Sequence, residues 1–166
     1  MDSALWDEEP AVILDNGSGN IKRGFAGEEI PRCAFPNITA TAKHRQSPTS
    51  VYVGDDADWD AMARVWTHAH DSLRVNPGAQ AVLITEAPHN PAPHREQMAA
   101  VFFENFAVPA LQVQIQAVIA LYAAGRTDGR VLDSGDGVTH VVPIVEGHAV
   151  TPAVRRLELA GRDVTE

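Results

Sequence analysis

The chain has 166 residues, which allows one full domain or one domain with part of another, and excludes a large two-lobed enzyme within this length. Apolar residues make up 45% and charged residues 21%, as in ordinary globular proteins and unlike disordered or membrane-spanning chains. The net charge of −9 disfavours nucleic acids and anionic membranes as partners. A single cysteine, Cys33, and an N-terminus without a basic segment followed by an apolar one predict a soluble protein of the cytoplasm or nucleus.

Residues 1–10 form a short acidic arm. Asp2, Asp7, Glu8 and Glu9 precede Pro10, and such a run of charge is typical of a solvated, mobile segment. An arm that binds a partner remains the alternative.

A three-stranded β-meander is predicted after the arm. Apolar runs indicate strands over Ala11–Asp15, Ile21–Ala26 and Ile30–Phe35, with a tight Asn-Gly-Ser-Gly turn between the first two. The polar stretch Pro36–Ser50 is interpreted as a loop, and Val51–Val53 as a brief strand.

A helix is predicted next, because apolar side chains recur at helical spacing from Trp59 to Trp66. Aspartates surround its start, and the simplest interpretation is that they cap the helix and favour its dipole: Asp55, Asp56, Asp58 and Asp60. A strand over Ala81–Thr85 follows, and the prolines after Asn90 predict the start of a second helix.

The apolar spacing from Leu111 to Tyr122 predicts a third helix, which Gly125 can terminate. Three strands then follow, over Val131–Asp133, Val138–Val145 and His148–Val150. Strands, helices and strands again indicate a layered α/β structure. The stretch from Gly161 to Asp163 resembles a helix N-terminus that does not continue as a helix.

One turn occurs twice in the chain. An apolar strand ends in an aspartate and runs into glycines in the first loop, Asp15–Gly19, and again in the second loop, Asp133–Val138. Successive backbone N–H groups in such turns can bind phosphate, and we expect positive φ angles at Gly17 and Gly135. Each loop taken alone is equally compatible with an ordinary hairpin turn.

Polar side chains around the loops suit a phosphate–magnesium ligand. Ser18 can donate a hydroxyl hydrogen and Lys22 can place an ammonium at a terminal phosphate. Asp15 and Asp133 can hold the waters of a bound Mg²⁺, which keeps several waters in proteins.

The motifs around the two loops resemble the actin family over nearly the whole chain. The matching stretches, in order, are Asp15–Gly19, Gly24–Gly27, Tyr52–Asp55, Thr85–Pro88, Ile115–Val118, Asp133–His140 and Leu159–Asp163. The resemblance implies an α/β, actin-like (ribonuclease H-like) fold. It implies a first lobe over 11–126 with a shortened outer subdomain at about 36–58, and the incomplete start of a second lobe over 127–166.

The resemblance also implies a ligand, ATP or ADP with Mg²⁺, and assigns residues to it. The implied cofactor-binding residues are Asp15, Gly17, Ser18, Gly19, Lys22, Asp133, Gly135, Asp136, Gly137 and Val138, with Asp15 and Asp133 reaching the metal through water. Gln116 matches the glutamine that positions the attacking water, and His140 lies beside it as a proton relay. Without the resemblance, Gln116 is interpreted as a polar residue of a half-exposed helix.

The chain also departs from the family. The family's adenine and ribose contacts lie beyond the part matched here, and a further segment stands in the family between Ala57 and Asp58. The loop that carries an apolar tip in actin filaments corresponds to the polar stretch Lys43–Ser50, and Asn20 replaces an apolar residue. We therefore expect weak nucleotide binding, and no hydrolysis or filaments from this chain alone.

Three functions follow from these expectations. The first is a truncated actin-like protein of the cytoplasmic cytoskeleton that retains both phosphate loops. The second is a non-catalytic module that binds actin or actin-binding proteins, and the third is a fragment of an ATPase that is active only when a second lobe is supplied. Strands within Val131–Leu157 are expected to lack partners and to drive self-association, unless they fold back over the first sheet.

Overall fold

The computed structural model describes residues 9–39, 49–50 and 58–165. The strands within these residues are β1 Val12–Asn16, β2 Asn20–Phe25, β3 Cys33–Pro36, β4 Ile38–Thr39, β5 Thr49–Ser50, β6 Val82–Glu86, β7 Leu111–Ile115, β8 Gly129–Ser134, β9 Thr139–Val145, β10 His148–Ala149 and β11 Arg155–Leu157. The α-helices are α1 Trp59–Leu73, α2 Ala92–Ala100, α3 Gln116–Ala123 and α4 Gly161–Thr165.

The first sheet has five strands in the order β3-β2-β1-β6-β7. Strands β1, β2 and β3 form the predicted antiparallel meander, and β6 and β7 run parallel to β1. Side chains of β1 alternate between buried and half-buried, so Val12 and Leu14 point into the core while Asp15 points to the opposite face. Parallel β1 and β6 therefore bring their carboxyl ends to the same edge.

Helices α1 and α2 cover the core face of this sheet. Asp58 is the N-cap of α1, and its carboxylate accepts a hydrogen bond of 2.9 Å from the Ala61 N–H, as the cap prediction requires. Trp66 lies fully buried, with its ring 4.9 Å from the ring of Phe102. The predicted cap residues Asp55 and Asp56, and the predicted strand Val51–Val53, lie outside the described residues.

The prediction of one helix from Leu111 to Tyr122 is wrong in its first part. Residues Leu111–Ile115 form β7, which pairs with all five residues of β6, and helix α3 begins only at Gln116. Apolar and glutamine side chains alternate in β7, which is the two-residue period of a strand. Gly125 follows α3 with a φ of 70°, as its predicted terminating role requires.

The second helix also differs from its simple prediction. It begins after Pro91 as expected, but the α-helix ends at Ala100 and continues as a π-helical turn over Val101–Asn105. Met98 and Phe102 still face the core, because positions four residues apart lie on the same side of a helix.

Two further predictions need correction. The stretch Pro36–Ser50 is not wholly loop, since β4 and β5 form a short antiparallel pair at its two ends. The segment starting at Gly161 does become a helix, although α4 has only 5 residues. None of the helices in the described part of the chain is long and apolar enough to cross a membrane.

The second sheet has β9 at its centre, with β8 on one side and both β10 and β11 on the other. The expectation that these strands lack partners is therefore wrong, because they pair with one another. Helix α3 covers one face of the sheet through Val118 and Leu121. The opposite face leaves Leu132 69% exposed and Leu157 52% exposed.

Candidate functional site

A cavity of about 560 Å³ lies between the carboxyl ends of β1 and β6, helix α3 and the second sheet. The cavity is lined by every residue that the sequence predicted for a site, and by other residues as well. The predicted residues are Asp15, Gly17, Ser18, Gly19, Lys22, Gln116, Asp133, Gly135, Asp136, Gly137, Val138 and His140. The fold thus brings the first and second loops, more than a hundred residues apart in sequence, to opposite sides of one space.

The first loop is fixed by Asn37, a fully buried residue that follows β3. Its carboxamide donates a hydrogen bond of 2.9 Å to the Gly17 carbonyl, and its backbone N–H donates one of 2.9 Å to the Gly19 carbonyl. Both carbonyls are therefore held by the protein, which defines the shape of the loop before any ligand binds.

Glycine is required in the first loop because neighbouring atoms lie too close for a side chain, and not because the backbone has a positive φ angle. The expectation of positive φ at Gly17 and Gly135 is wrong, because the described glycines with positive φ are Gly27, Gly125 and Gly147. A Cβ atom at Gly17 would lie 2.6 Å from the Asn20 carbonyl oxygen, and one at Gly19 would lie 2.8 Å from the Asp136 Cβ. A Cβ at Gly135 would meet only the Val138 carbonyl oxygen, at an ordinary 3.5 Å. The two loops are thus in direct contact, and the first loop tolerates side chains least.

Asp15 is held by donors from three directions. Its Oδ1 accepts hydrogen bonds from the Thr85 hydroxyl at 2.7 Å and from Gln116 Nε2 at 3.1 Å. Its Oδ2 lies 3.4 Å from Lys22 Nζ, and both of these side chains are partly exposed. The predicted water-positioning residue Gln116 is therefore linked directly to the predicted metal carboxylate.

The second loop is held by helix α4. The N–H groups of Gly161 and Arg162 each donate a 2.9 Å hydrogen bond, to the carbonyls of Gly135 and Asp136 respectively. The Arg162 guanidinium also lies 2.5 Å from the Asp136 carboxylate. The Asp136 side chain, predicted to bind the cofactor, is therefore engaged in a contact that supports the loop, which leaves its backbone as the part suited to a ligand.

His140 is buried on the cavity side of β9, directly opposite Asp133 on β8. Burial, and then the nearby Arg156 guanidinium, lower the pKa of His140 below its ordinary value. The imidazole is consequently neutral at pH 7, with one nitrogen that can donate a hydrogen bond and one that can accept a hydrogen bond.

The charges that line the cavity suit a metal-bound phosphate better than a free phosphate. Glu86 is buried but satisfied by Asn90 and Arg95, while Asp15 and Asp133 remain as carboxylates facing the space. Carboxylates and their hydrogen-bonded waters are the environment that Mg²⁺ prefers, and the volume falls in the usual range for small-molecule sites. These residues therefore fit a nucleotide bound with Mg²⁺.

Sequence reasoning gave no role to the supporting residues Thr85 and Asn37, although Thr85 begins one of the matching family motifs. Thr85 sits next to the end of β6, and the rule that ligands bind beyond the carboxyl ends of parallel strands could have identified it. No local sequence pattern identifies Asn37, because it reaches the first loop only once the meander has folded.

The family model described as Actin matches residues 6–58 and 57–166, so the two matched segments meet at residues 57–58. This match covers nearly the whole chain and agrees with the mixed sheet, the two glycine loops and the cavity between them. The chain therefore belongs to the actin family.

Proposed function

We propose that this chain is an actin-like cytoskeletal protein that binds the phosphates of ATP or ADP, with Mg²⁺, between the first and second loops. The observation that carries the proposal is the contact of the two loops that line the cavity: a Cβ at Gly19 would lie 2.8 Å from the Asp136 Cβ. Two separate hairpins have no reason to converge on one space lined by carboxylates, a lysine and a serine.

Each residue has a role in this proposal. Ser18, Lys22 and the backbone N–H groups of both loops bind phosphate oxygens. Asp15 and Asp133 hold the waters of the metal, which when bound supplies positive charge to the phosphates. Gln116 orients a water, which an amide can do without acting as a base, and neutral His140 can relay a proton.

Binding by the chain on its own should be weak, and we do not expect it to hydrolyse ATP. Phe, Tyr and Trp are absent from the described cavity lining, so apart from the His140 imidazole the adenine base has no aromatic ring there on which to stack. The phosphate contacts must then supply most of the affinity.

Calorimetry at millimolar nucleotide tests the proposal. We expect weak binding of Mg·ATP and Mg·ADP, weaker binding of AMP, and loss of binding in Asp15→Asn and Asp133→Asn. Glu96→Gln, on the exposed side of α2, is the matched control for removing a carboxylate charge and should bind as the parent does. Micromolar affinity in a monomer, or equal affinity for AMP and ATP, would contradict the proposal.

Filaments are not expected from the purified chain. The stretch Lys43–Ser50 lacks the apolar tip that the family's filament contact uses, and of this stretch only 49–50 lie within the described residues. Electron microscopy after addition of salt and Mg·ATP checks this expectation, and ordinary helical filaments would disprove it.

A second candidate function is a non-catalytic module that binds actin or actin-binding proteins. The exposed face of the second sheet favours it, because Leu132 and Leu157 are apolar and open to solvent there. Co-sedimentation with actin filaments tests this function. Binding that is lost in a Leu132→Ser, Leu157→Ser double variant but kept in Asp15→Asn would support it over nucleotide binding.

A further inference from the structure

We infer that Thr85 is a positioning residue of this site, which orients the Asp15 carboxylate and the start of the first loop with one hydroxyl group. The inference rests on the proposed function, because orientation of Asp15 matters through a metal-bound phosphate. It concerns a residue of β6 to which sequence reasoning gave no role at the site.

The direction of both hydrogen bonds at Thr85 is determined by chemistry. The backbone N–H of Asn16 can only donate, so Thr85 Oγ1 accepts that hydrogen bond, at 3.0 Å. The single hydroxyl hydrogen of Thr85 is then free to go to Asp15 Oδ1, at 2.7 Å. Thr85 is 3% exposed, so bulk water cannot readily replace either contact.

The same chain of contacts reaches the core of the first sheet. The Asn16 carboxamide oxygen lies 3.4 Å from Trp66 Nε1, and the Trp66 ring is fully buried. Asn16 is thus held at its side chain by Trp66 and at its backbone by Thr85. The orientation of Asp15 is therefore coupled to the buried core of the first sheet.

The register of the sheet explains why a residue at position 85 does this. Strand β6 is parallel to β1 with Ile84 opposite Leu14, so Thr85 follows beside Asp15. Thr85 and Gln116 together occupy Oδ1, whereas among the described residues Oδ2 has only the longer 3.4 Å contact to Lys22. The hydroxyl consequently determines which carboxylate oxygen remains available for the waters of a metal.

Removal of the hydroxyl at constant shape tests this role. In Thr85→Val we expect the affinity for Mg·ATP to fall about tenfold or more, since hydrogen bonds to charged groups are stronger than neutral ones. The affinity for ATP in the presence of a chelator should change far less. Thr85→Ser keeps the hydroxyl and should restore most of the Mg²⁺-dependent affinity. Thr67→Val is the matched control and should resemble the parent, because the Thr67 hydroxyl donates to the Ala63 carbonyl of the same helix at an exposed position.

A second measurement needs no nucleotide. Amide hydrogen exchange at Asn16 should accelerate in Thr85→Val and remain near the parent rate in Thr85→Ser and Thr67→Val. Unchanged exchange in Thr85→Val, or a loss of affinity that is the same with and without Mg²⁺, would overturn the inference. If the parent binds no nucleotide but exchange responds as expected, the proposed function fails while the orienting role of Thr85 stands.

Discussion

The two sheets of this protein are built from similar strands but are buried to very different degrees. The first sheet packs α1 and α2 over a continuous cluster in which Met62, Trp66 and Phe102 are fully buried. The second sheet has a smaller cluster beneath α3, and its other face exposes Leu132 and Leu157. Because hydrophobic stabilisation follows the apolar area removed from water, the free energy of folding is concentrated in the first sheet.

The two loops also differ in how firmly the protein anchors them. The first loop is anchored by buried Asn37 and by Thr85, whereas the second loop depends on α4, a helix of 5 residues. A helix this short is unstable without tertiary contacts, so the second loop is the more easily perturbed side of the cavity. Substitutions in the two sheets and in the two loops should therefore have unequal effects.

Truncation of a large buried side chain in the core of the first sheet should lower the free energy of unfolding far more than truncation of a buried side chain in the core of the second sheet. Trp66→Ala should lower the free energy of unfolding by about 3–5 kcal/mol, because it leaves a large cavity and removes the donor to Asn16. Val142→Ala, equally buried but in the second sheet, should cost about 1–3 kcal/mol. Urea denaturation followed by circular dichroism measures both values, and a loss in Val142→Ala as large as that in Trp66→Ala would contradict the first core as the main source of stability.

Acid should destabilise the protein through the first core, at His70. Its ring is buried against Phe106, and its Nδ1 lies 2.7 Å from the buried Arg23 guanidinium. Burial, and then the charge of Arg23, lower the pKa of His70 to about 3, while burial lowers the pKa of Arg23 to about 10. The native state therefore keeps His70 neutral at a pH where the unfolded chain protonates it.

The sign of the resulting pH effect is definite. The stabilisation from neutral His70 is complete above the ordinary value of 6.5 and is lost as the pH falls from there towards about 3. The slope should be up to about 1.4 kcal/mol per pH unit. His70→Phe should flatten this part of the profile, whereas His68→Phe, at an exposed position on the same helix, should keep the parent slope. A parent slope retained in His70→Phe would exclude His70 as the cause.

The loops should respond unequally to the same substitution. Gly17→Ala forces a Cβ against the Asn20 carbonyl and should cost about 1–3 kcal/mol of stability, with loss of nucleotide binding. Gly135→Ala places its Cβ at an ordinary distance and should change stability by less than about 0.5 kcal/mol. Thermal unfolding with calorimetric titration distinguishes them, and the reverse order would mean that the second loop is the tighter one.

The exposed face of the second sheet should affect association more than stability. Leu132→Ser removes an apolar side chain from the solvent-exposed face of β8 and should change the free energy of unfolding by less than about 0.5 kcal/mol. If the edge and face of this sheet drive self-association, the same variant should shift the chain towards monomer in analytical ultracentrifugation. A parent that is monomeric at all concentrations would contradict self-association through this sheet.

Much of the site could be predicted from the sequence, because its elements are local. A strand that ends in aspartate followed by glycines is visible in both loops, and the ordered family motifs then identified Lys22, Gln116 and His140 as neighbours of those loops. Residues whose role depends on local sequence, such as the Asp58 cap and Gly125, were identified for the same reason.

Tertiary structure decided the rest. Leu111–Ile115 fits a helical spacing as well as a strand, and only pairing with β6 selects the strand. The Arg23–His70 pair joins residues 47 apart, and the Thr85–Asp15 contact joins residues 70 apart, so neither leaves a pattern in the sequence. The need for glycine at position 17 likewise comes from the approach of a neighbouring carbonyl and not from its own φ. Local chemistry thus determined which groups are present at the site, and the packing of distant segments determined which of their atoms face one another.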